Sequence, residues 1–268
     1  MSENLIAVII GIVEGATEYL PVSSTGHMIL VGNYLGFEGE KASVFEVFIQ
    51  LGAILSVLYM YREKFYCMIK PKKLSIYGNG LSIQHVLAGI IPVMGVGYLL
   101  HKNIKALFSP GAVIAGLVAG AIFMLVAEKI AKRPEVTNVD KISVKQAFFI
   151  GVFQLLALWP GFSRSGSTIS GGLMLGVSRT AAAEFSFIIA VPLMFVACIY
   201  DLLKVWDKLN IADIQMFAIG FGVAFVVAYF SVVWFISFLN KSSLASFAYY
   251  RLVLAMVSYY YFFGIHLG

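Results

Sequence analysis

The chain has 268 residues, of which 60% are hydrophobic and 12% charged, against roughly 25% charged in an average soluble domain. That balance excludes a soluble globular protein and reads as an all-α polytopic membrane protein, with room for at most about ten crossings at roughly 20 residues per span. The net charge of +5 does not call for nucleic acid as a partner, because the basic residues border apolar runs and the positive-inside bias of membrane loops accounts for them.

In chain order, the first apolar run starts at Leu5 and reaches Ile12. No Lys or Arg precedes Lys41 and no small-residue cleavage pattern follows the run, so it is expected to stay in the mature protein. Glu14 and Glu18 interrupt it, Pro21 breaks the helix, and a second run covers Met28 to Leu35. Each arm is too short for a hydrocarbon core of about 30 Å. A re-entrant helix hairpin fits, and broken backbone at membrane depth is tolerated only in protein or beside a wet cavity.

Three full spans are expected next, Phe45 to Tyr61, Ile83 to Leu100 and Ala112 to Ile130. The pattern then restarts. Val144 to Leu158 is a short arm, Pro160 breaks it, and Ile169 to Leu175 is another. Three spans follow, roughly Ala183 to Leu203, Ile214 to Leu239 and Leu244 to Phe263.

Ser23 and Ser163, Gly26 and Gly166, and Glu14 and Gln154 are each 140 apart, so the chain reads as one membrane domain over 1–268 made of a repeat at about 1–135 and a second at about 140–268. A hairpin plus three spans is an odd number of crossings, so the second copy must be inverted. The architecture expected is about six transmembrane helices plus two re-entrant hairpins that enter from opposite faces.

The loop charges give an orientation. Lys41, Lys102, Lys105, Lys204 and Lys208 fall on the side of the N-terminus, whereas the other side collects 13 basic residues. Those include Lys70, Lys72, Lys73, Lys132, Arg179 and Arg251. The richer side is cytoplasmic by the loop-charge rule, so the first hairpin should open to the extracytoplasmic side. Cys67 and Cys198 form no disulfide framework or metal signature.

Two stretches carry the chemistry. Glu14 and Glu18 lie one turn apart on one helix face, and two carboxylates that close suggest a divalent metal between them or a general base. An acidic face in contact with water is the plain alternative. Ser23, Ser24, Thr25 and Gly26 follow Pro21 as the first turn of a helix. Free N–H groups and the positive dipole end make such a turn an anion site, and Gly26 would admit a phosphate close to the backbone. Any one of these hydroxyls alone would be an ordinary cap.

His27 stands one turn from Ser24, where it could serve as base or acid. In the second hairpin Ser163, Ser165, Gly166 and Thr168 repeat the helix start around Arg164, whose planar fork suits phosphate oxygens. Arg164 could equally pair with Glu14 or Glu18 and hold the empty site.

The remaining polar residues are read more plainly. Glu46, Gln50 and Glu184 are polar positions inside spans that either support the site or bridge helices. Asp140 reads as solvated, and His85, His101 and His266 as interfacial. Gly116 and Gly120 are spaced for close helix packing, within the chain or at a homodimer contact. Tyr59, Tyr61, Trp206 and the run Tyr259 to Tyr261 read as interface anchors.

The motifs Glu14-Gly-Ala-Thr-Glu18, Pro21-Val-Ser-Ser-Thr-Gly-His27, Phe45-Glu-Val-Phe-Ile-Gln50 and Leu158-Trp-Pro-Gly-Phe-Ser-Arg-Ser-Gly-Ser-Thr168 resemble those of the undecaprenyl-diphosphate phosphatases, or bacitracin-resistance proteins. The resemblance covers essentially the whole chain. It implies hydrolysis of a polyprenyl diphosphate lipid to the monophosphate and inorganic phosphate at the outer face of the bacterial inner membrane. That reaction recycles the carrier for peptidoglycan. It further implies that Glu14, Glu18, Ser24, His27 and Arg164 are catalytic or phosphate-binding, and that magnesium or calcium assists.

A flippase of the same lipid shares the expected architecture and is the alternative. Another class of membrane lipid phosphatase needs His six residues after a Ser-Arg pair, and Ser170 and Phe185 stand at those places.

Overall fold

The computed structural model describes residues 1–69, 80–204 and 213–264. Lys70, Lys72, Lys73, Trp206, Lys208 and His266 lie outside the described residues, as does the side chain of Lys105. The described chain is helical: α1 Glu3–Thr17, α2 Ser24–Leu35, α3 Glu40–Met60, α4 Arg62–Ile69, α5 Ile83–Leu99, α6 His101–Ala106 and α7 Pro110–Ile130. Then come α8 Val144–Phe153, prolonged by a 3₁₀ turn Gln154–Leu158, α9 Arg164–Met174, α10 Arg179–Lys204, α11 Ile214–Leu239 and α12 Ala245–Tyr259. A π turn, Tyr260–Gly264, extends α12. Among the described residues no strand forms, and one isolated bridge joins Val136 to Val177.

Four helices, α3, α7, α10 and α11, are long and apolar enough to cross a membrane. The other two expected spans are shorter. α5 has 17 residues with Pro92 inside it, and α12 has 15 before the π turn. The hairpin arms are shorter still, about 22 Å for the 15 residues of α1 and about 18 Å for the 12 of α2.

The sequence explains the breaks. Pro21 has no N–H and disfavours helix at Leu20, so α1 ends as Glu18 closes its last bond to the Glu14 carbonyl. In the second hairpin Gly161 takes a φ of 89°, a left-handed conformation that side chains resist. Each second arm then starts behind a serine cap, Ser23 for α2 and Ser163 for α9.

The first arms cross over to the other half of the chain: α1 packs on α11, and α8 packs on α5. Two of the three pairs of spans related by the 140-residue offset pack together, α3 against α10 and α7 against α12. Small residues permit the α1–α11 approach. A Cβ on Gly15 would come within 2.7 Å of the Ala224 carbonyl oxygen, and one on Gly11 within 2.8 Å of that of Gly220. Of the four long helices α10 is the most buried and α11 the least, so α10 runs through the middle while α11 shows Phe230 and Trp234 outward.

Ion pairs gather the helix ends into two sets. Lys41 bridges Glu3 and Asp213 at 2.7 Å each, joining the starts of α1, α3 and α11. At the other set Glu128 of α7 accepts from Arg179 at the start of α10 and from the Leu244 amide before α12. Asp140, still exposed, is also paired with Lys64 at 2.8 Å, which ties α4 to the turn ahead of α8.

Arg251 is also placed differently from the sequence expectation. It is no loop charge: it is fully buried within α12, because four backbone carbonyls converge on it there. Gly116 and Gly120 are likewise used inside the chain. A Cβ on either would collide with the second hairpin, at Phe162 N and Phe162 O respectively.

Candidate active site

Ser23 and Ser163 have φ of 69° and 76° and are the two non-glycine residues at positive φ among the described residues. That conformation costs about 1–3 kcal/mol and persists where the surroundings over-determine it. Here each serine hydroxyl caps its helix, Ser23 Oγ accepting from Gly26 N at 3.3 Å and Ser163 Oγ from Gly166 N at 3.1 Å. The two helix starts are thus the same joint made twice, with Ser24 first in α2 and Arg164 first in α9.

The joints touch. Arg164 Nη2 donates to Glu18 Oε1 at 3.1 Å, and Ser165 Oγ donates to the Leu20 carbonyl at 2.8 Å. The other Glu18 oxygen accepts from Ser24 Oγ at 2.6 Å. Glu18 therefore stands between the hydroxyl and the guanidinium with both oxygens engaged, and it is buried.

Arg164 is steadied from several sides. Its Nη1 donates to the Ser186 carbonyl at 3.2 Å and to Ser186 Oγ at 3.3 Å. Its Cζ lies 5.3 Å from the Tyr19 ring centroid, a cation–π distance. Thr168 Oγ1 meets Ser186 Oγ at 2.7 Å and the Arg164 carbonyl at 2.9 Å.

A cavity of about 260 Å³ opens over this cluster. Glu18, Ser23, Ser24, Thr25, Ser163 and Arg164 line it, with Gln50 and Trp159 beside them. Glu14, Ser165, Gly166, Gly26, His27 and Thr168 stand behind that surface rather than on it. The Gly26 and Gly166 amides are taken by the caps, and a Cβ on Gly26 would press on Leu117 of α7 at 3.3 Å. Gln50, on the cavity wall, accepts from Cys198 Sγ at 3.1 Å.

His27 does not face Ser24. Its Nδ1 lies 2.8 Å from the Ser23 carbonyl and its Nε2 2.7 Å from Tyr250 Oη. A carbonyl only accepts, so Nδ1 carries the proton and Nε2 accepts from the tyrosine. The two rings are stacked, 7° apart in plane.

Beside Tyr250, Arg251 donates to Gly161 O at 2.8 Å, Gly116 O at 3.1 Å, Leu117 O at 3.3 Å and Pro21 O at 3.5 Å. One side chain thus clasps the backbone of both hairpin breaks. Sequence reasoning missed Tyr250, Ser186 and this role of Arg251. The signal available for Arg251 was an arginine inside an apolar run, the same signal that drew attention to Arg164.

Among the described residues no group of three or more His, Cys, Asp or Glu is gathered to hold a metal. Glu14, however, is buried with its Oε1 unpartnered. An orphaned carboxylate oxygen one helical turn from Glu18 fits a hard divalent cation that takes one or two protein carboxylates and fills its shell with phosphate oxygens and water. A serine hydroxyl bonded to a carboxylate that also holds an arginine is an arrangement that suits attack on a phosphorus atom. A model of one family, described as bacitracin resistance protein BacA, matches residues 7–257.

Proposed function

The chain belongs to the bacitracin resistance protein BacA family, and from that premise we propose that it hydrolyses undecaprenyl diphosphate to undecaprenyl phosphate and inorganic phosphate. The observation that carries the reading is the chain Ser24–Glu18–Arg164, drawn from both hairpins and set in one cavity.

Glu18 accepts the Ser24 proton as the serine oxygen bonds to the terminal phosphorus. The bond from phosphorus to the bridging oxygen breaks, and the lipid monophosphate leaves as an anion. Arg164, released from Glu18 as that carboxylate becomes neutral, turns its fork to the charge on the phosphoryl oxygens. Water then attacks the phosphoserine and Glu18 passes its proton back, which frees phosphate and Ser24. Glu14 and Glu18 would hold the divalent cation of the magnesium or calcium class, which when bound offsets diphosphate charge. His27 acts through its grip on the Ser23 carbonyl, the backbone link next to the nucleophile.

We place the site on the extracytoplasmic face of a bacterial inner membrane. Removing Arg251 from the loop charges leaves 12 basic residues against five, so the orientation is unchanged. The exchanged packing of α1 on α11 and α8 on α5 supports two inverted repeats. Carrier recycling and bacitracin resistance follow, since that antibiotic sequesters the diphosphate.

The test is phosphate release from undecaprenyl diphosphate by purified protein, with and without chelator. Ser24→Ala and Arg164→Ala are expected to lose on the order of a thousandfold, and chelator to abolish turnover that magnesium restores. A flippase releases no phosphate, so a wild type silent in this assay ends the hydrolase reading. Near-normal turnover of Ser24→Ala ends the serine route alone.

A further inference from the structure

Thr168 stands behind the cavity, and Ser186 comes from α10, outside both hairpins. Both hydroxyls are buried, and their bonds close on Arg164. Thr168 Oγ1 lies 2.9 Å from the Arg164 carbonyl, 3.2 Å from that of Ser165 and 2.7 Å from Ser186 Oγ. Ser186 Oγ in turn lies 3.3 Å from Arg164 Nη1.

A hydroxyl has one proton, a carbonyl only accepts and a guanidinium only donates. Those constraints set every direction. Two carbonyls face Thr168 Oγ1 and take its single proton, so in the 2.7 Å contact Ser186 is the donor and Thr168 the acceptor. Ser186 Oγ then turns a lone pair to Nη1. The bonds run in a circuit from the Arg164 side chain through Ser186 and Thr168 back to the Arg164 backbone. The second Nη1 proton goes to the Ser186 carbonyl at 3.2 Å, which leaves that nitrogen with none to give.

The rest of the guanidinium is held less firmly. Nη2 is shared between Glu18 and the weak acceptor Met194 Sδ, and Nε is buried without a partner. One end of the fork is fixed, and the other can change partner when Glu18 becomes neutral.

We infer that Ser186 and Thr168 are positioning residues that anchor Arg164 through Nη1, so that Nη2 passes from Glu18 to the transferring phosphoryl group while the side chain keeps its place. The inference rests on the hydrolase reading above and adds what holds its arginine. Because the anchor exists before substrate arrives, the guanidinium meets the developing charge without first being ordered. Before proton transfer Nη2 still belongs to Glu18, so the anchor adds little to substrate binding. Its loss should therefore appear in kcat rather than KM.

The test uses full-length protein in bilayer nanodiscs and two readouts. In phosphate release from undecaprenyl diphosphate, Ser186→Ala and Thr168→Val should each lower kcat roughly tenfold, with KM little changed. Thr168→Ser keeps the hydroxyl and should stay near wild type. The double variant should be no worse than the worse single, because both break one circuit. The second readout is modification of Arg164 by phenylglyoxal, followed by mass spectrometry, with exposed Arg133 as internal reference. Arg164 should react several-fold faster in Ser186→Ala and Thr168→Val than in the wild type or Thr168→Ser.

Wild-type kcat in both single variants overturns the proposal. So does a fall in kcat with Arg164 labelled at the wild-type rate, or a Thr168→Ser protein as impaired as Thr168→Val. Wild-type protein that releases no phosphate would sink the hydrolase reading instead. The labelling rates would still decide whether the two hydroxyls hold the guanidinium.

Discussion

Glu18 holds two partners of opposite demand, a hydroxyl proton on one oxygen and a guanidinium on the other. Glu18→Gln keeps the shape and removes the base. It should lower kcat by about 10²–10⁴-fold, with a thermal midpoint in detergent close to wild type. Tyr250→Phe is a milder probe. It keeps the ring stacked on His27 and deletes one hydrogen bond worth about 1 kcal/mol, so kcat should fall roughly fivefold with KM unchanged. A Tyr250→Phe enzyme with wild-type kcat would release His27 from any positioning role.

The polar identities were readable because Glu, Ser, His and Arg are out of place in apolar surroundings. The pairing of Arg164 with Glu18 was one of the two that the sequence offered, whereas that of His27 was not legible. His27 sits one turn from Ser24 in sequence, yet its Nε2 partner comes from α12, more than two hundred residues away.

The helices and their breaks were legible for local reasons. Pro21, Gly161 and the serine caps act on their own neighbours, and the apolar runs between them set the arms to within a few residues. What Arg251 does was not legible, because the four carbonyls it meets belong to three other segments, the two hairpin breaks and α7.

Arg251→Met should strand several of those carbonyls at about 1–3 kcal/mol each. We expect a lowered melting temperature and lost activity together, and Arg251→Lys, with a compact ammonium in place of the fork, should recover only part of either. Gly15→Ala places a methyl group against the Ala224 carbonyl. Overpacking of this kind typically costs about 1–3 kcal/mol, which a melting curve of the purified protein reads directly, and the unperturbed cluster around Ser24 should keep its KM.

Taken together, the two sets of ion-paired helix ends define two faces. Lys41 with Glu3 and Asp213 marks one, and Glu128 with Arg179 marks the other. In a Cys67→Ser background, a cysteine at Glu38, between α2 and α3, should react with an impermeant maleimide on intact cells. One at Lys132, after α7, should react only after the membrane is opened. Labelling in the reverse order would turn the molecule over and put the site on the cytoplasmic face.

The two serine joints are one construction used twice, and the copies are not filled alike. The residue after the strained serine is Ser24 in one and Arg164 in the other, and where the first copy has Glu14 and Glu18 the second has Gln154 and Leu158. A protein with two identical halves would present either two hydroxyls or two guanidiniums at its centre, and neither set makes the triad seen here. The proposed reaction therefore needs the two loops to differ, and a chain that carries the same loop sequence in both hairpins should release no phosphate.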